Sequence, residues 1–342
     1  MNIGLIGAGN ISGTHARAIG EIPGARVAAI YGPTRERAAR LAAEHGATPY
    51  DSLNEFLSHR PMEMVAIGSP SGLHGEHGIA AAKRGLHVLV EKPIEITTAR
   101  VDGFVAETAR AGVTLGVIFQ DRAKPDIVRL KAAVEEGALG KPILASARVK
   151  WYRPPEYYGG STWRGTWALD GGGALMNQGV HTVDLLLWLA GPVRRVFARA
   201  AAKLHQIEVE DTAVAVLEFA SGAFGTLEAT TSSYPGYARR LELTGSEGTA
   251  ILDGDRLDLR GVKHVPDVGT SENRAADAAP PVNASSPVVA DVSAHRRVFE
   301  DFIVAVRDRR PPLCDGAAAR ASVAVIEAIY RSSSLHAAVE IE

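Results

Sequence analysis

Two short stretches of this 342-residue chain carry side chains able to move a proton or steady a negative charge. The first is Glu91-Lys92-Pro93, which directly follows the apolar run His87–Val90. A lysine at the end of a buried strand is either a functional cation or an exposed end-of-strand charge. Pro93 weighs toward function, because its fixed φ locks the turn that presents Lys92. The second stretch runs Gly171-Gly172-Gly173-Ala174-Leu175-Met176-Asn177-Gln178-Gly179-Val180-His181-Thr182-Val183-Asp184. Asn177, His181 and Asp184 stand at i, i+4 and i+7, so on an α-helix they share one face. Polar groups on an otherwise apolar helix must be hydrogen-bonded or used in chemistry. A lone histidine there would read as structural; three aligned polar groups beside three glycines read as a ligand-facing helix. Histidine exchanges protons near neutral pH, and a lysine ammonium can stabilise a developing alkoxide.

A third stretch is built to hold an anion. Gly7-Ala8-Gly9-Asn10-Ile11-Ser12 sits between a strand pattern and a helix pattern, the context that the dinucleotide-binding fingerprint requires. Gly7 permits a tight turn, and Gly9 lets the backbone approach a pyrophosphate at the N-terminus of the helix that Asn10 and Ile11 open. Ser12 takes the place of the usual third small residue. The second strand should end in an acid for the adenosine ribose, yet the run Ile30-Tyr31-Gly32-Pro33-Thr34-Arg35 has no carboxylate. Thr34 and Arg35 could instead hold a 2′-phosphate, which favours NADP over NAD. Arg35 and Arg37 read equally as the solvated first turn of a helix.

The elements that must position these stretches follow from apolar periodicity. Ile3–Ile6, Val27–Tyr31, Met64–Ile67, His87–Val90 and Val113–Phe119 read as buried strands. Helical patterns lie between them near Thr14–Ile19, Arg35–His45, Ser71–Arg84 and Thr97–Ala111. This alternation predicts right-handed βαβ units and a parallel sheet over residues 1–120. Lys92 then falls at the carboxyl edge of a central strand, where open α/β sheets bind ligands.

Beyond Gln120 the pattern changes. A helix over Pro125–Glu136, a strand over Pro142–Trp151, an irregular loop from Tyr152 to Gly173 and a helix from Ala174 to Leu189 are expected. Val193–Ala201, Thr212–Phe219, Phe224–Thr231, Arg240–Leu243 and Ala250–Leu252 follow as β-like runs without intervening helices. The expectation is an α/β Rossmann N-terminal domain, 1–120, plus an α+β C-terminal domain, 121–342, with a largely antiparallel open sheet. Residues 263–292 read as an extended surface loop. Two closing helices, His295–Val306 and Ala317–Arg331, are expected to pack on one of the two domains.

The glycine loop, Gly68-Ser69-Pro70-Ser71-Gly72-Leu73-His74, Glu91-Lys92-Pro93 and the Gly-Gly-Gly…His181…Asp184 segment, in this order, resemble the Gfo/Idh/MocA oxidoreductases. The resemblance covers nearly the whole chain. It implies NAD(P)-dependent oxidation or reduction of sugars, cyclitols or nucleotide sugars, and an open C-terminal sheet that makes oligomer contacts. By position it implies that Lys92 is the catalytic lysine, with a cis bond to Pro93, and that His181 is the acid/base. Asn177 stands where the family often has aspartate; an amide cannot relay a proton but can orient a substrate. The resemblance places Ser69, Pro70, His74, Glu91 and Gln120 around the cofactor. Trp163 and Arg164 match members whose loop returns to touch it, and Tyr157-Tyr158 through Trp167 is similar to members acting on pyranose or nucleotide-sugar rings. Tyr152, Arg153, Tyr157, Tyr158 and His205 are candidates for substrate recognition or for loop packing.

Composition narrows the alternatives. A formal net charge of -2 gives no basic field for nucleic acid or anionic lipid. No run approaches the roughly 18 apolar residues of a membrane helix. The single Cys314 excludes an intramolecular disulfide, no cysteine cluster suggests a metal, and a cytoplasmic setting is expected. A small-molecule substrate and a homo-oligomer, dimer or tetramer, are expected partners. Two rivals stand beside the dehydrogenase: a sugar- or cofactor-sensing regulator on the same fold, and a glycosidase or lyase using transient oxidation.

Overall fold

The computed structural model describes residues 1–262 and 291–341, so the stretch read as an extended loop lies outside them except for its last two residues. The chain divides into two compact units, Met1–Gln120 with Pro287–Arg320, and Asp121–Ser286 with Ala321–Glu342.

The first unit contains the strands β1 (Asn2–Ile6), β2 (Arg26–Tyr31), β3 (Thr48–Tyr50), β4 (Met64–Ile67), β5 (His87–Glu91) and β6 (Leu115–Ile118). All pair in parallel, in the order β3-β2-β1-β4-β5-β6. The order reverses between β1 and β4, which makes the carboxyl ends of these two strands the switch-point crevice of a doubly wound sheet. The central strands are buried on both faces, as their Val, Ile and Leu content requires. Between the strands run α1 (Asn10–Gly20), α2 (Arg35–His45), α3 (Leu53–Leu57), α4 (His74–Ala82) and α5 (Thr98–Arg110). Two elements escaped the periodicity, β3 and α3, because three and five residues are too short to show a period.

The second unit opens with α6 (Pro125–Glu135), started by a proline at its first turn, and β7 (Pro142–Lys150). A short α7 (Pro155–Gly159), a π-helical turn over Ala174–Gly179 and α8 (Val180–Ala190) follow. Next come β8 (Val193–Ala201), β9 (Thr212–Phe219), β10 (Phe224–Thr230), β11 (Arg240–Gly245), β12 (Thr249–Asp253) and β13 (Arg256–Arg260). With β14 (Val339–Glu340) they form an eight-stranded sheet in the order β13-β12-β11-β7-β10-β9-β8-β14. Only β7 and β10 pair in parallel; the other pairs are antiparallel.

One face of this sheet is covered by α8, which packs on β7 and β11. The other face carries exposed apolar side chains: Leu144, Phe197, Val214, Val216 and Phe224. Register places Phe224 opposite Leu144 and Phe197 opposite Val216, so the exposed groups are neighbours.

Two closing helices complete the described residues, α9 (Ser293–Asp308) and α10 (Gly316–Leu335). Helix α9 packs on α1 and β6 in the first unit, seating Phe299 and Phe302 in the core. Helix α10 starts in the first unit and continues into the second after Arg320.

Candidate active site

In the first unit the residues singled out by sequence line the carboxyl edge of the sheet. Ile6 lies opposite Ile67, Ile67 opposite Val90, and Glu91 opposite Ile118, so Gly7, Gly68, Lys92 and Gln120 emerge from adjacent strands. Gly7 holds φ +119, and a Cβ there would stand 2.8 Å from the Gly68 carbonyl oxygen. Only glycine meets both conditions. At Gly9 an added Cβ meets nothing within 4 Å, so space opens in front of the α1 N-terminus. Asn10 and Ile11 begin that helix, and their N–H groups lie among those with no acceptor in the helix itself.

Two buried polar atoms nearby meet no hydrogen-bond partner among the described residues, the Ser12 hydroxyl and the Gln120 Oε1. Free amides at a helix N-terminus, open space and orphaned polar atoms fit a dinucleotide along this edge. At the tip of β2 a Cβ on Gly32 would sit 2.9 Å from the Ala8 Cβ, so an acidic side chain there would crowd the glycine loop. Thr34 caps α2 without a side-chain bond, and Arg35 pairs with Asp51 at 3.1 Å on the surface.

The Lys92–Pro93 peptide is cis, as the resemblance implies. Two buried groups hold this turn. The Glu91 carboxylate bonds His15 on α1 through Oε1 at 2.9 Å and accepts the Lys92 amide through Oε2 at 3.2 Å. Burial pushes the Glu91 pKa up, but the His15 bond and the charges of His15, His295 and Lys92 outweigh it and bring the value down to about 2. His15, Glu91 and His295 place three metal-type donor atoms within 4.8 Å of one another, two of them already joined by the direct hydrogen bond.

His74 faces two carbonyls, Pro93 at 2.7 Å and Ser69 at 2.9 Å. Burial lowers its pKa, and a neutral imidazole donates to only one of the two at a time. The Ser69 hydroxyl is turned to His77 at 2.9 Å, and Pro70 leads the short turn into α4. His74, Glu91 and Ser69 thus brace the lysine turn from behind.

The second unit holds His181, Asn177 and Asp184, but not as a single stripe. Gln178 and Asn177 both donate backbone N–H groups to the Gly173 carbonyl, and the wider of these bonds makes the π turn. A Cβ on Gly173 would collide with the Glu210 carbonyl, and the Glu210 carboxylate accepts the amides of Gly173 and Leu175 at 3.0 and 2.8 Å. The turn therefore starts on a clamp. Helical spacing of 3.6 residues does not run through it, which corrects the expected continuous face. The Asn177 amide donates to Asp170, and its carbonyl accepts from Gln178 at 2.8 Å. Asp184 turns inward to a bidentate pair with Arg122, at 2.8 and 2.6 Å. His181, on the first turn of α8, directs Nδ1 toward Asp121 at 3.9 Å.

The aromatic loop is largely self-contained. Arg164 stacks over Tyr157 at 4.6 Å and Trp163 at 5.1 Å. Arg153 donates to the Gln178 carbonyl at 2.7 Å, and Tyr152 meets Tyr234 edge to face. His205 is buried, bonded to the Arg153 carbonyl at 2.9 Å and to Asp211 at 3.2 Å, so it is a structural residue. Tyr158 is likewise buried, its hydroxyl on Thr231.

Sequence reasoning passed over Asp121 and Arg239. Asp121 is buried, bonded to Lys124 at 2.8 Å and to the buried Arg239, and these cations hold its carboxyl far below the usual range despite burial. The charged run Gln120-Asp121-Arg122-Ala123-Lys124 ahead of Pro125 was the available signal; Arg239, remote in sequence, offered none.

Comparison with known proteins agrees with this architecture. Residues 1–119 match the oxidoreductase family with an NAD-binding Rossmann fold, and residues 127–251 match the GFO/IDH/MocA C-terminal domain. The chain is 30% identical to myo-inositol 2-dehydrogenase from Thermotoga maritima, over 75% of this chain and 76% of the relative. It is 29% identical to D-apiose dehydrogenase from Paraburkholderia graminis, over 99% and 89%. Its fold superposes with a TM-score of 0.87 on the WlbA dehydrogenase from Bordetella pertussis, solved with NADH and UDP-GlcNAcA. That protein is 31% identical, with 99% of this chain and 98% of the other covered. No described helix is long and apolar enough to cross a membrane. The chain belongs to the Gfo/Idh/MocA oxidoreductase family, an NAD-binding Rossmann domain followed by the family's C-terminal domain.

Proposed function

We propose that this protein interconverts a ring hydroxyl and a ketone of a sugar, cyclitol or nucleotide sugar, using NAD or NADP. The observation that carries the reading is Lys92, presented by a cis-proline turn at the carboxyl edge that also bears the glycine loop, and braced by Glu91 and His74. The relatives are named for inositol and apiose oxidation, and the WlbA dehydrogenase was solved with a nucleotide sugar; both point to substrates of this class.

The roles follow from the chemistry of the side chains. Gly7, Gly9, Asn10 and Ile11 would hold the pyrophosphate, with Ser69, Pro70 and Gln120 along the same edge. When bound, the nicotinamide supplies the two-electron chemistry. Lys92 stabilises the substrate oxygen as its proton leaves and depresses the pKa of that hydroxyl. His181 accepts the proton in oxidation and returns it in reduction. Asn177 is engaged with Asp170 and Gln178, so it fixes the turn that carries His181 rather than relaying a proton. Thr34 and Arg35 are the candidates for a 2′-phosphate, and the crowding at Gly32 explains why no ribose-binding acid stands there. Trp163 and Arg164 are the candidates for a loop contact with the cofactor, and Tyr152 for substrate binding. The exposed apolar face of the second sheet is the surface for self-association, as dimer or tetramer, and the lone buried thiol of Cys314 suits the reducing cytoplasm.

The test is a screen of NAD and NADP reduction over a panel of sugars, cyclitols and nucleotide sugars. Turnover confined to one ring class supports the reading. A cofactor that stays bound with no net redox change on any of them, while a glycoside is cleaved, would replace it with the redox-neutral hydrolase.

A further inference from the structure

The Asn177 substitution leaves His181 without the carboxylate that the resemblance places one turn earlier, and the second unit supplies carboxylates from elsewhere. Asp170 is taken by the Asn177 amide and the Gly165 N–H. Asp184 is taken by the fork of Arg122, both groups being buried. Asp255 is half exposed and pairs with Lys124 and Arg239. Asp121 is paired as well, with Lys124 and Arg239, but it also faces the histidine. It is buried, it sits in the short turn Gln120–Ala123, and its Oδ2 lies 3.9 Å from the Nδ1 of His181.

We propose that Asp121 is the positioning residue for His181, holding the imidazole proton on Nδ1 so that Nε2 is the atom that accepts the substrate proton. This rests on the dehydrogenase reading above for its role in turnover, but not for its geometry. The distance is too long for a hydrogen bond, so the effect is electrostatic: the buried carboxylate favours the tautomer whose proton sits on the ring nitrogen that faces it. Asp121 is itself anchored from two other elements, by Lys124 at the start of α6 and by Arg239 beside β11, so its position is set before the ring meets it. The cations keep it anionic across the pH range in which histidine titrates. Among the described residues of this unit, Asp121 pairs with Lys124 and Arg239, both of which also pair with Asp255, while Asp184, one turn beyond His181 on α8, pairs with Arg122.

An anion within about 4–6 Å favours the imidazolium, typically by one pH unit or more. Asp121→Asn removes that anion and leaves the charges of Lys124 and Arg239, both paired with it, uncompensated there, so the histidine is expected to titrate lower. The acidic limb of kcat/KM for oxidation then moves to lower pH by about one unit or more. Asp121→Glu restores the limb toward its wild-type place.

The deciding experiment is side-chain 15N–1H correlation of histidine-labelled protein, with His181 assigned from its loss in His181→Asn. The wild type should carry the neutral-state proton on Nδ1, and Asp121→Asn should titrate lower. Should Asp121→Asn fail to fold, the wild-type tautomer still judges the proposal, and Lys124→Gln, at a partly exposed position, should raise the His181 titration point. A wild-type proton on Nε2, or titration unchanged in both variants, overturns it. Because these spectra need no substrate, a protein that turns over no sugar would defeat the functional reading and leave this one to be judged separately.

Discussion

The two units each set a histidine against a buried carboxylate, and the two pairs are built differently. In the first unit His15 and Glu91 form a closed bond of 2.9 Å, with the His15 side chain wholly buried beneath Phe299. In the second, His181 faces Asp121 at 3.9 Å and keeps 14% of its side chain exposed. The first pair joins α1 to β5 and so fixes the glycine loop relative to the lysine turn. The second is longer than a hydrogen bond and is not fully closed off from solvent. The same two functional groups form a closed, buried pair in the first unit and a looser, partly exposed one in the second.

Exchanging the phenotypes of the two histidines would break this comparison. His181→Asn should lower turnover by about 10²–10⁴-fold, and Lys92→Ala should do likewise, with cofactor affinity and melting temperature nearly unchanged. His15→Asn should do the reverse, costing about 1–3 kcal/mol of stability while each folded molecule keeps most of its turnover. Steady-state kinetics beside thermal melts distinguish these patterns; a His15 variant that melts like wild type but is inactive would defeat them.

The closed pair can be sharpened by acid. Glu91 has a folded-state pKa of about 2 against an ordinary 4.5, so the unfolded chain takes up its proton first. Its contribution, roughly 3 kcal/mol, is full above about pH 4.5 and fades as the pH falls toward 2. Denaturant titrations across that window should show the slope in the wild type and a shallower one in Glu91→Gln. Equal slopes would mean that the bond to His15 contributes no such linkage.

Glu210, at the clamp of the π turn, has the opposite sign. Burial raises its pKa to about 7 against the pull of its two backbone donors. Its contribution is full below about pH 4.5 and lost as pH rises through 7, again by roughly 3 kcal/mol. Stability of the unit bearing His181 should therefore decline over that interval, where the Glu91 pair is indifferent; a flat profile there would count against the assignment.

The smallest effect is at the rim of the cofactor edge. Arg35→Ala should raise the KM for NADP about tenfold, some 1.4 kcal/mol, and leave that for NAD alone. A wild-type enzyme that prefers NAD would set this aside without touching the other predictions.

Much of the fold was legible because it depends on short-range pattern. Apolar runs alternating with helical periods specified the parallel sheet, the second-unit strands Val193–Ala201 and Thr212–Phe219 appear with their expected bounds, and Gly7 and Lys92 were placed by their neighbours in sequence. The π turn was not legible. Its wider hydrogen bonds arise because Glu210, more than 30 residues away, clamps the Gly173 and Leu175 amides, and no local period reports that.

The sequence by itself determined which residues could hold a dinucleotide and which could move a proton, since those properties belong to side-chain types and to glycine spacing. Only the tertiary structure decided which polar groups were already taken. Asp184 went to Arg122, Asn177 to Asp170, Glu91 to His15, and Asp121, unremarked in the sequence, came to face His181. The reason is physical. A buried polar group must find a partner, and that partner can come from any element that the fold brings near.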